Sequence, residues 1–78
     1  MSADAAVRYY AETDTLYVAV GDRPSVGGED AGEDLVIHYD GESRPVGYEI
    51  EHASRHPEHV AAALTALRRA KGFAQAAE

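Results

Sequence analysis

The chain has 78 residues, no cysteine and a formal net charge of -7, from 14 acidic and 7 basic residues. A chain of this length suits a single domain over residues 1–78 and buries only about 60–65% of the surface of its unfolded form, which favours self-association as a further source of stability. The lack of cysteine excludes disulfides, thiolate nucleophiles and Cys-based metal sites, and the negative charge disfavours binding to nucleic acid or anionic membranes.

The first part of the chain predicts a β-hairpin. Apolar and polar residues alternate over residues 6–10 and again over 15–20, where Leu16 and Val18 share a face. This period-two pattern is typical of half-buried strands. The polar residues 11–14 between the two stretches have the length of a hairpin turn.

The segment 21–34 is rich in glycine and acidic residues and predicts at most one short edge strand, over residues 25–29. Its acidic part, residues 29–34, lacks the alternating ligand order of a calcium-binding loop. We therefore interpret it as charge that protects a sheet edge from strand addition.

A second hairpin follows, with alternating strands over residues 35–39 and 46–51 around a turn at residues 40–44. The sequence thus predicts an antiparallel β-meander of four to five strands, built from two hairpins and spanning residues 6–51. Because both sheet faces carry apolar residues, the pattern leaves open which face is covered.

A helix is predicted over residues 57–71, with His56 as its N-cap, Pro57 at its first position and Gly72 as its stop. Packed on one sheet face, this helix gives an α+β fold. The stripe expected to contact the sheet consists of Val60, Leu64 and Leu67.

Both ends of the chain, residues 1–4 and 73–78, are expected to be flexible tails. The basic residues Arg68, Arg69 and Lys71 are interpreted as cations near the helix C-terminus, where the helix dipole favours them.

Twelve residues of the hairpins form a spaced pattern: Tyr9, Asp14, Leu16, Tyr17, Tyr39, Asp40, Arg44, Gly47, Glu49, Ile50, Ala53 and Ser54. With this pattern, the region Val7 to Ser54 resembles the small bacterial proteins grouped as domain-of-unknown-function family 2283. Tyr10, His38 and Ser43 depart from the family pattern, which has Asp, Asp and Gly there. The resemblance implies a small sheet with a C-terminal helix and self-association, and it implies no activity.

The residues of the pattern also have structural interpretations of their own. Asp14 and Asp40 are predicted to close the two hairpin turns by accepting backbone N–H groups two residues on. Gly47 is predicted to lie opposite His38, where it leaves room for the imidazole or for a close backbone approach.

Three histidines, His52, His56 and His59, lie within eight residues and are candidate ligands for zinc, nickel or copper. Glu51 or Glu58 could add an oxygen. Pro57 prevents His52 and His56 from sharing one helix, so a metal site would need the loop to fold back. The alternative is a set of solvent-exposed histidines around a helix start.

A second cluster combines Glu49 and Glu51, two apart on one strand, with His38 on the neighbouring strand. Two carboxylates about 7 Å apart can share a reaction across a water. Alternating acids are more typical of a solvated strand face, and no catalytic motif accompanies them.

The favoured function is a cytoplasmic, self-associating interaction module, a dimer that has no cofactor or enzymatic activity and can bind another protein. The alternatives are an antitoxin-like or inhibitor partner of a basic effector, and a small metal- or ligand-binding protein that uses the histidine cluster. The candidate interface residues are Tyr10, Tyr17, Val36 and Phe73.

Overall fold

The computed structural model of the protein describes residues 6–76, and side chains as far as residue 71. It contains five strands and, after a 3-10 turn (Ala53–Arg55), one helix. The elements are β1 (Val7–Tyr10), β2 (Thr15–Ala19), β3 (Gly27–Gly32), β4 (Leu35–Tyr39), β5 (Pro45–Ile50) and α1 (Pro57–Ala76). The predicted α+β class, an antiparallel sheet with one C-terminal helix, is confirmed.

The strand order in the sheet is β1-β2-β5-β4-β3, and every neighbouring pair is antiparallel. Both predicted hairpins form. The strands are not all in chain order, as a continuous meander requires, because β2 pairs with β5. This pairing places the buried residues Val18 and Ile50 on neighbouring inner strands, where the helix can cover both.

The edge strand β3 spans Gly27–Gly32 and not residues 25–29 as predicted from the sequence, and all six of its residues are exposed. Its position is determined by backbone pairing with β4, since it contributes no buried side chain. The acidic segment 29–34 therefore begins inside a strand and ends in the turn that leads to β4.

The helix packs on the sheet face that carries Leu16, Val18 and Ile50. The predicted helical stripe is partly wrong, because Leu64 is 40% exposed whereas Ala63 is fully buried. The small Ala63 side chain allows the helix to lie close to the sheet, and the next residue is rotated about 100° away from that contact. Val60 and Leu67, also in the predicted stripe, pack against the core.

The first strand is more exposed than its alternating pattern predicts. Val7, Tyr9 and Tyr10 are all exposed. The cause is their position, because β1 is an edge strand and α1 packs mainly on β2 and β5.

The helix continues to Ala76 and does not stop at Gly72. Alanine-rich sequence after Gly72 has a high helix propensity, which outweighs the cost of about 1 kcal/mol for one internal glycine. The basic residues Arg68, Arg69 and Lys71 consequently lie before the last turn, so their predicted position at the helix end is wrong. Of the predicted tails, residues 1–4 lie outside the described residues. Within residues 6–76, no helix is both long and apolar enough to cross a membrane.

Candidate functional site

The histidine cluster lies where the turn between β3 and β4 meets the start of α1. His52 precedes the 3-10 turn and has a left-handed backbone, with φ of 53°. His56 is the N-cap of α1, since its carbonyl accepts hydrogen bonds from the N–H groups of His59 and Val60. The 3-10 turn supplies the reversal that Pro57 makes necessary, and it brings the histidines to one end of the sheet.

Asp34 is the residue that connects this cluster. Its Oδ2 lies 2.9 Å from Nε2 of His56 and 3.2 Å from Nδ1 of His52. An ionised carboxylate accepts hydrogen bonds but cannot donate them, so Nε2 of His56 and Nδ1 of His52 both act as donors. These contacts, with that of His56 the largest, lower the pKa of Asp34 below its ordinary value.

His56 lies between two carboxylates. Its Nε2 faces Asp34 and its Nδ1 lies 3.2 Å from Oε2 of Glu58, while its side chain is only 12% exposed. The hydrogen bond to Asp34 raises the pKa of His56 most, Glu58 raises it further, and burial opposes both. The pKa of Glu58 is lowered, first by a hydrogen bond from its own backbone N–H and then by His56.

His59 is attached to the same turn. Its Nε2 lies 2.9 Å from the backbone carbonyl oxygen of Glu33. Its ring stacks on that of His56, with the centroids 4.8 Å apart and an interplanar angle of 25°. The first turn of α1 is thus held against the β3–β4 turn by two imidazoles.

The three histidines gather around Glu33 and Asp34, but their ligand atoms fall into different groups. His52 groups with Asp34 and Glu51, and His56 groups with Glu33 and Asp34. The remaining group contains His56, Glu58 and His59. The single site of His52, His56 and His59 expected from the sequence therefore divides into separate sets, although both expected glutamates take part.

Sequence reasoning missed Glu33 and Asp34, which anchor the cluster. Both lie in the acidic segment 29–34, which the sequence pattern led us to interpret as protection of the sheet edge against strand addition. The available signal was their position just before the strand at Leu35, since a hairpin turn there returns the chain toward the sheet end where residue 51 also lies.

The second predicted cluster forms only in part. Nε2 of His38 lies 3.0 Å from Oε1 of Glu49, on the sheet face opposite α1. Glu51 follows the end of β5, and its backbone N–H donates to the carbonyl of Asp34. The two glutamates therefore belong to different surroundings.

The open face of the sheet, opposite α1, carries a row of residues that register across all five strands. Arg8 pairs with Tyr17, Tyr17 with Glu49, Glu49 with Val36, and Val36 with Asp30. Tyr17 and Val36 are half-buried, and the two ends of the row are exposed and oppositely charged.

The predicted interface residues Tyr10, Tyr17 and Val36 all lie on this open face, as the register shows. Tyr10 is 48% exposed. Tyr17 also has an intramolecular role, because its ring covers Gly47, where a Cβ atom would collide with the phenol. The prediction for Phe73 concerns a side chain outside the described residues.

Gly47 pairs with His38, as predicted, but the group that lies over it is Tyr17 and not the imidazole. Asp40 accepts the N–H groups of Glu42 and Arg44 at 2.8 and 2.9 Å, so its predicted role in the turn is confirmed.

The prediction for Asp14 needs correction, because its carboxylate accepts from Tyr9 and Ser54 and not from the hairpin backbone. Asp14 has a left-handed backbone, with φ of 56°, and its carboxylate contacts Ser54 in the segment preceding α1.

Residues 6–54 match the family described as "Protein of unknown function (DUF2283)". This range covers all five strands and ends at Ser54. The comparisons found no match among curated proteins and none among solved structures.

Proposed function

The chain belongs to the DUF2283 family, and from this premise and the geometry of its sheet we propose that it is a self-associating interaction module, acting by binding and not by catalysis. The observation that carries the proposal is the open sheet face. Tyr17 and Val36 on this face are half-buried and Tyr10 is exposed, whereas the helix packs on the other side. A second copy of the chain would complete their burial.

The charge distribution on this face favours a second copy as the occupant. Arg8 on one edge strand and Asp30 on the other lie at opposite ends of one cross-strand row. Two sheets that pack face to face around a twofold axis parallel to β5 place β1 of one copy over β3 of the other. Each Arg8 then faces an Asp30 of the second copy, which forms two equivalent ion pairs.

The same axis places Tyr17 of one copy against Val36 of the other, since they are the neighbours of Glu49 on either side of the row. Tyr17 and Val36 thus form apolar contacts on either side of the two Glu49 side chains, which meet at the axis, and the charges of Arg8 and Asp30 lie at the rim, where charged residues of a specific interface are usual.

The proposed absence of catalysis is supported by the use of the family residues within the fold. Asp14 and Asp40 accept hydrogen bonds from Ser54 and from the backbone of Arg44, and Gly47 is covered by Tyr17. Residues with such contacts maintain the fold, and a fold by itself does not specify an activity.

The test is light scattering coupled to size exclusion across a dilution series. We expect the wild type to have the mass of a dimer that dissociates on dilution. Arg8→Glu and Asp30→Arg should each weaken the dimer roughly 5- to 30-fold, because each disrupts two ion pairs of about 0.5–1 kcal/mol. The charge-swapped double variant should restore it.

Arg69→Glu, an exposed change of the same charge on the helix, is the matched control and should leave the mass unchanged. A monomer at all concentrations would overturn the proposal. A dimer that ignores both single changes would overturn the proposed face.

A further inference from the structure

We propose that His56, Glu58 and His59 bind one divalent transition-metal ion, with Zn²⁺ as the reference ion, at the start of α1. This ligand site is separate from the open sheet face and does not depend on self-association. It uses two of the three histidines expected from the sequence.

The three side chains already lie close together. One ligand atom of each lies within 4.8 Å of those of the other two. Oε2 of Glu58 is 3.2 Å from Nδ1 of His56. Donor atoms on a tetrahedral zinc ion, each about 2.0–2.2 Å from the metal, are themselves about 3.2–3.6 Å apart. The carboxylate and the first imidazole therefore have the separation of ligands that share an ion.

The tautomers required for metal binding are set by the β3–β4 turn. Nε2 of His59 contacts the carbonyl oxygen of Glu33, which can only accept, so this nitrogen carries a proton. Nε2 of His56 likewise donates to the carboxylate of Asp34. In a neutral imidazole the other nitrogen then has a free lone pair. For His56 this nitrogen is Nδ1, which faces Glu58. In His59 the nitrogen nearer to Oε2 of Glu58 is Nε2, at 3.9 Å, so its Nδ1 reaches the ion only when the ring turns.

A histidine that ligates a metal almost always donates its second N–H to a carboxylate or a backbone carbonyl. Both kinds of acceptor are present here: the carboxylate of Asp34 for His56 and the backbone carbonyl of Glu33 for His59. The supports come from the β3–β4 turn whereas the ligands lie at the start of α1, so the contact between these two segments orients the ring of His56 toward Glu58.

The ligand chemistry selects the class of ion. Imidazole nitrogens suit Zn²⁺, Ni²⁺ and Cu²⁺, whereas Ca²⁺ and Mg²⁺ prefer sites made of oxygen atoms. Two imidazoles and one carboxylate leave the remaining coordination positions to water.

The experiment is calorimetric titration of the full chain with zinc chloride alone. We expect one Zn²⁺ per chain, and His56→Ala or His59→Ala should weaken binding at least 10-fold. Asp34→Asn should weaken it roughly 10-fold with unchanged stoichiometry, because it removes a supporting charge and not a ligand. Asparagine suits this position because the backbone of Asp34 is left-handed, with φ of 60°.

Two matched controls remove a histidine outside the set. His38→Ala acts on the opposite sheet face, and His52→Asn removes the imidazole that groups with Glu51. His38→Ala should bind Zn²⁺ as the wild type does, whereas His52→Asn, which removes a second contact to Asp34 but no ligand, should weaken binding much less than His56→Ala. Circular dichroism should show that every variant is folded. X-ray absorption of the zinc complex should show two histidine nitrogens.

Absence of zinc binding by the folded wild type would overturn the proposal, and would leave His56 as an imidazole held between two carboxylates. Equal binding by the wild type and by the double variant His56→Ala/His59→Ala would overturn it as well. A loss in His52→Asn as large as in His56→Ala would overturn the assigned ligand set.

Discussion

The hydroxyl of Ser54 donates a hydrogen bond of 2.7 Å to Oδ2 of Asp14, forty residues earlier in the chain. The backbone N–H of Ser54 lies 3.2 Å from the same oxygen, and that of Ala53 donates to the Asp14 carbonyl at 2.8 Å. The hydroxyl of Tyr9 donates to Oδ1. Asp14 thus connects the first hairpin to the segment that leads into α1.

Removal of these donors is expected to loosen that connection. Ser54→Ala and Tyr9→Phe should each lower the urea midpoint of unfolding, because each leaves the Asp14 carboxylate with one donor fewer. Ser25→Ala, an exposed loop serine, is the matched control and should unfold like the wild type. If Ser54→Ala unfolds at the same urea concentration as Ser25→Ala, the connection has no role in stability.

The contact between Tyr17 and Gly47 predicts a cost for any side chain at position 47. Gly47→Ala should lower the free energy of unfolding by about 1–3 kcal/mol, because the new Cβ displaces the phenol ring. Gly41→Ala is the control, since a Cβ there meets nothing within 4 Å. In a Tyr17→Ala background the cost at position 47 should decrease, and an unchanged cost would contradict the assigned contact.

Ser43 has a left-handed backbone, with φ of 66°, at the position where the family pattern has glycine. A side chain in this conformation costs about 1–2 kcal/mol, and the greater freedom of glycine in the unfolded chain offsets part of the gain. Ser43→Gly should therefore raise the free energy of unfolding by about 0.5–1 kcal/mol in chemical denaturation. Ser25→Gly provides the reference for the unfolded chain, and equal effects of the two changes would show that no strain is relieved.

The sequence predicted those parts of the fold that depend on local pattern and on known turn chemistry. The two hairpins, the position of His56 at the start of the helix and the turn at Asp40 are confirmed because each depends on residues a few positions apart. The pairing of β2 with β5 and the choice of Ala63 as the buried helical residue depend on contacts between distant segments. A single sequence does not encode such contacts in its periodicity.

The candidate site shows the same limit. The histidines stand out in the sequence because they are few and close together in the chain. Asp34 does not stand out, because it is one of several acidic residues in one segment. Its importance comes from the β3–β4 turn, which brings its carboxylate to His52 and His56, 18 and 22 residues further on.

The pKa of Asp40 is lowered in the folded protein, and we therefore expect the protein to lose stability in acid. The N–H of Arg44 chiefly lowers its pKa, with further contributions from the N–H of Glu42 and the charge of Arg23, whereas burial raises it. A group with a lowered pKa in the folded state contributes stability above its unfolded value, about 3.9 for aspartate, and this stability is lost as the pH falls through the folded pKa.

Asp40→Asn should therefore lower the urea midpoint near neutral pH and reduce the decline of that midpoint between pH 5 and about 2. Asp22→Asn, on an exposed loop, is the control and should keep the acid dependence of the wild type. An acid dependence in Asp40→Asn as steep as that in Asp22→Asn would assign the effect to other carboxylates.

The proposed twofold axis leads to a prediction that would not follow from non-specific association. Glu49 lies at the middle of the cross-strand row, so the axis brings the two Glu49 carboxylates of a dimer toward each other. Oε1 of each Glu49 lies 3.0 Å from Nε2 of its own His38, and in the dimer each carboxylate also faces that of the other copy. Glu49→Gln should therefore tighten the dimer by roughly 2- to 10-fold, since removal of a repulsion of about 0.5–1.4 kcal/mol has this effect.

Glu29→Gln is the matched control for that change, because Glu29 pairs with Ile37 and so lies on the other sheet face. It makes the same change in net charge without approaching the axis, and should alter the dissociation constant far less. The measurement is the dimer dissociation constant by sedimentation equilibrium at two salt concentrations, since screening should reduce the gain from Glu49→Gln at high salt. Equal tightening by both variants would assign the effect to net charge and would remove this axis from the proposed dimer.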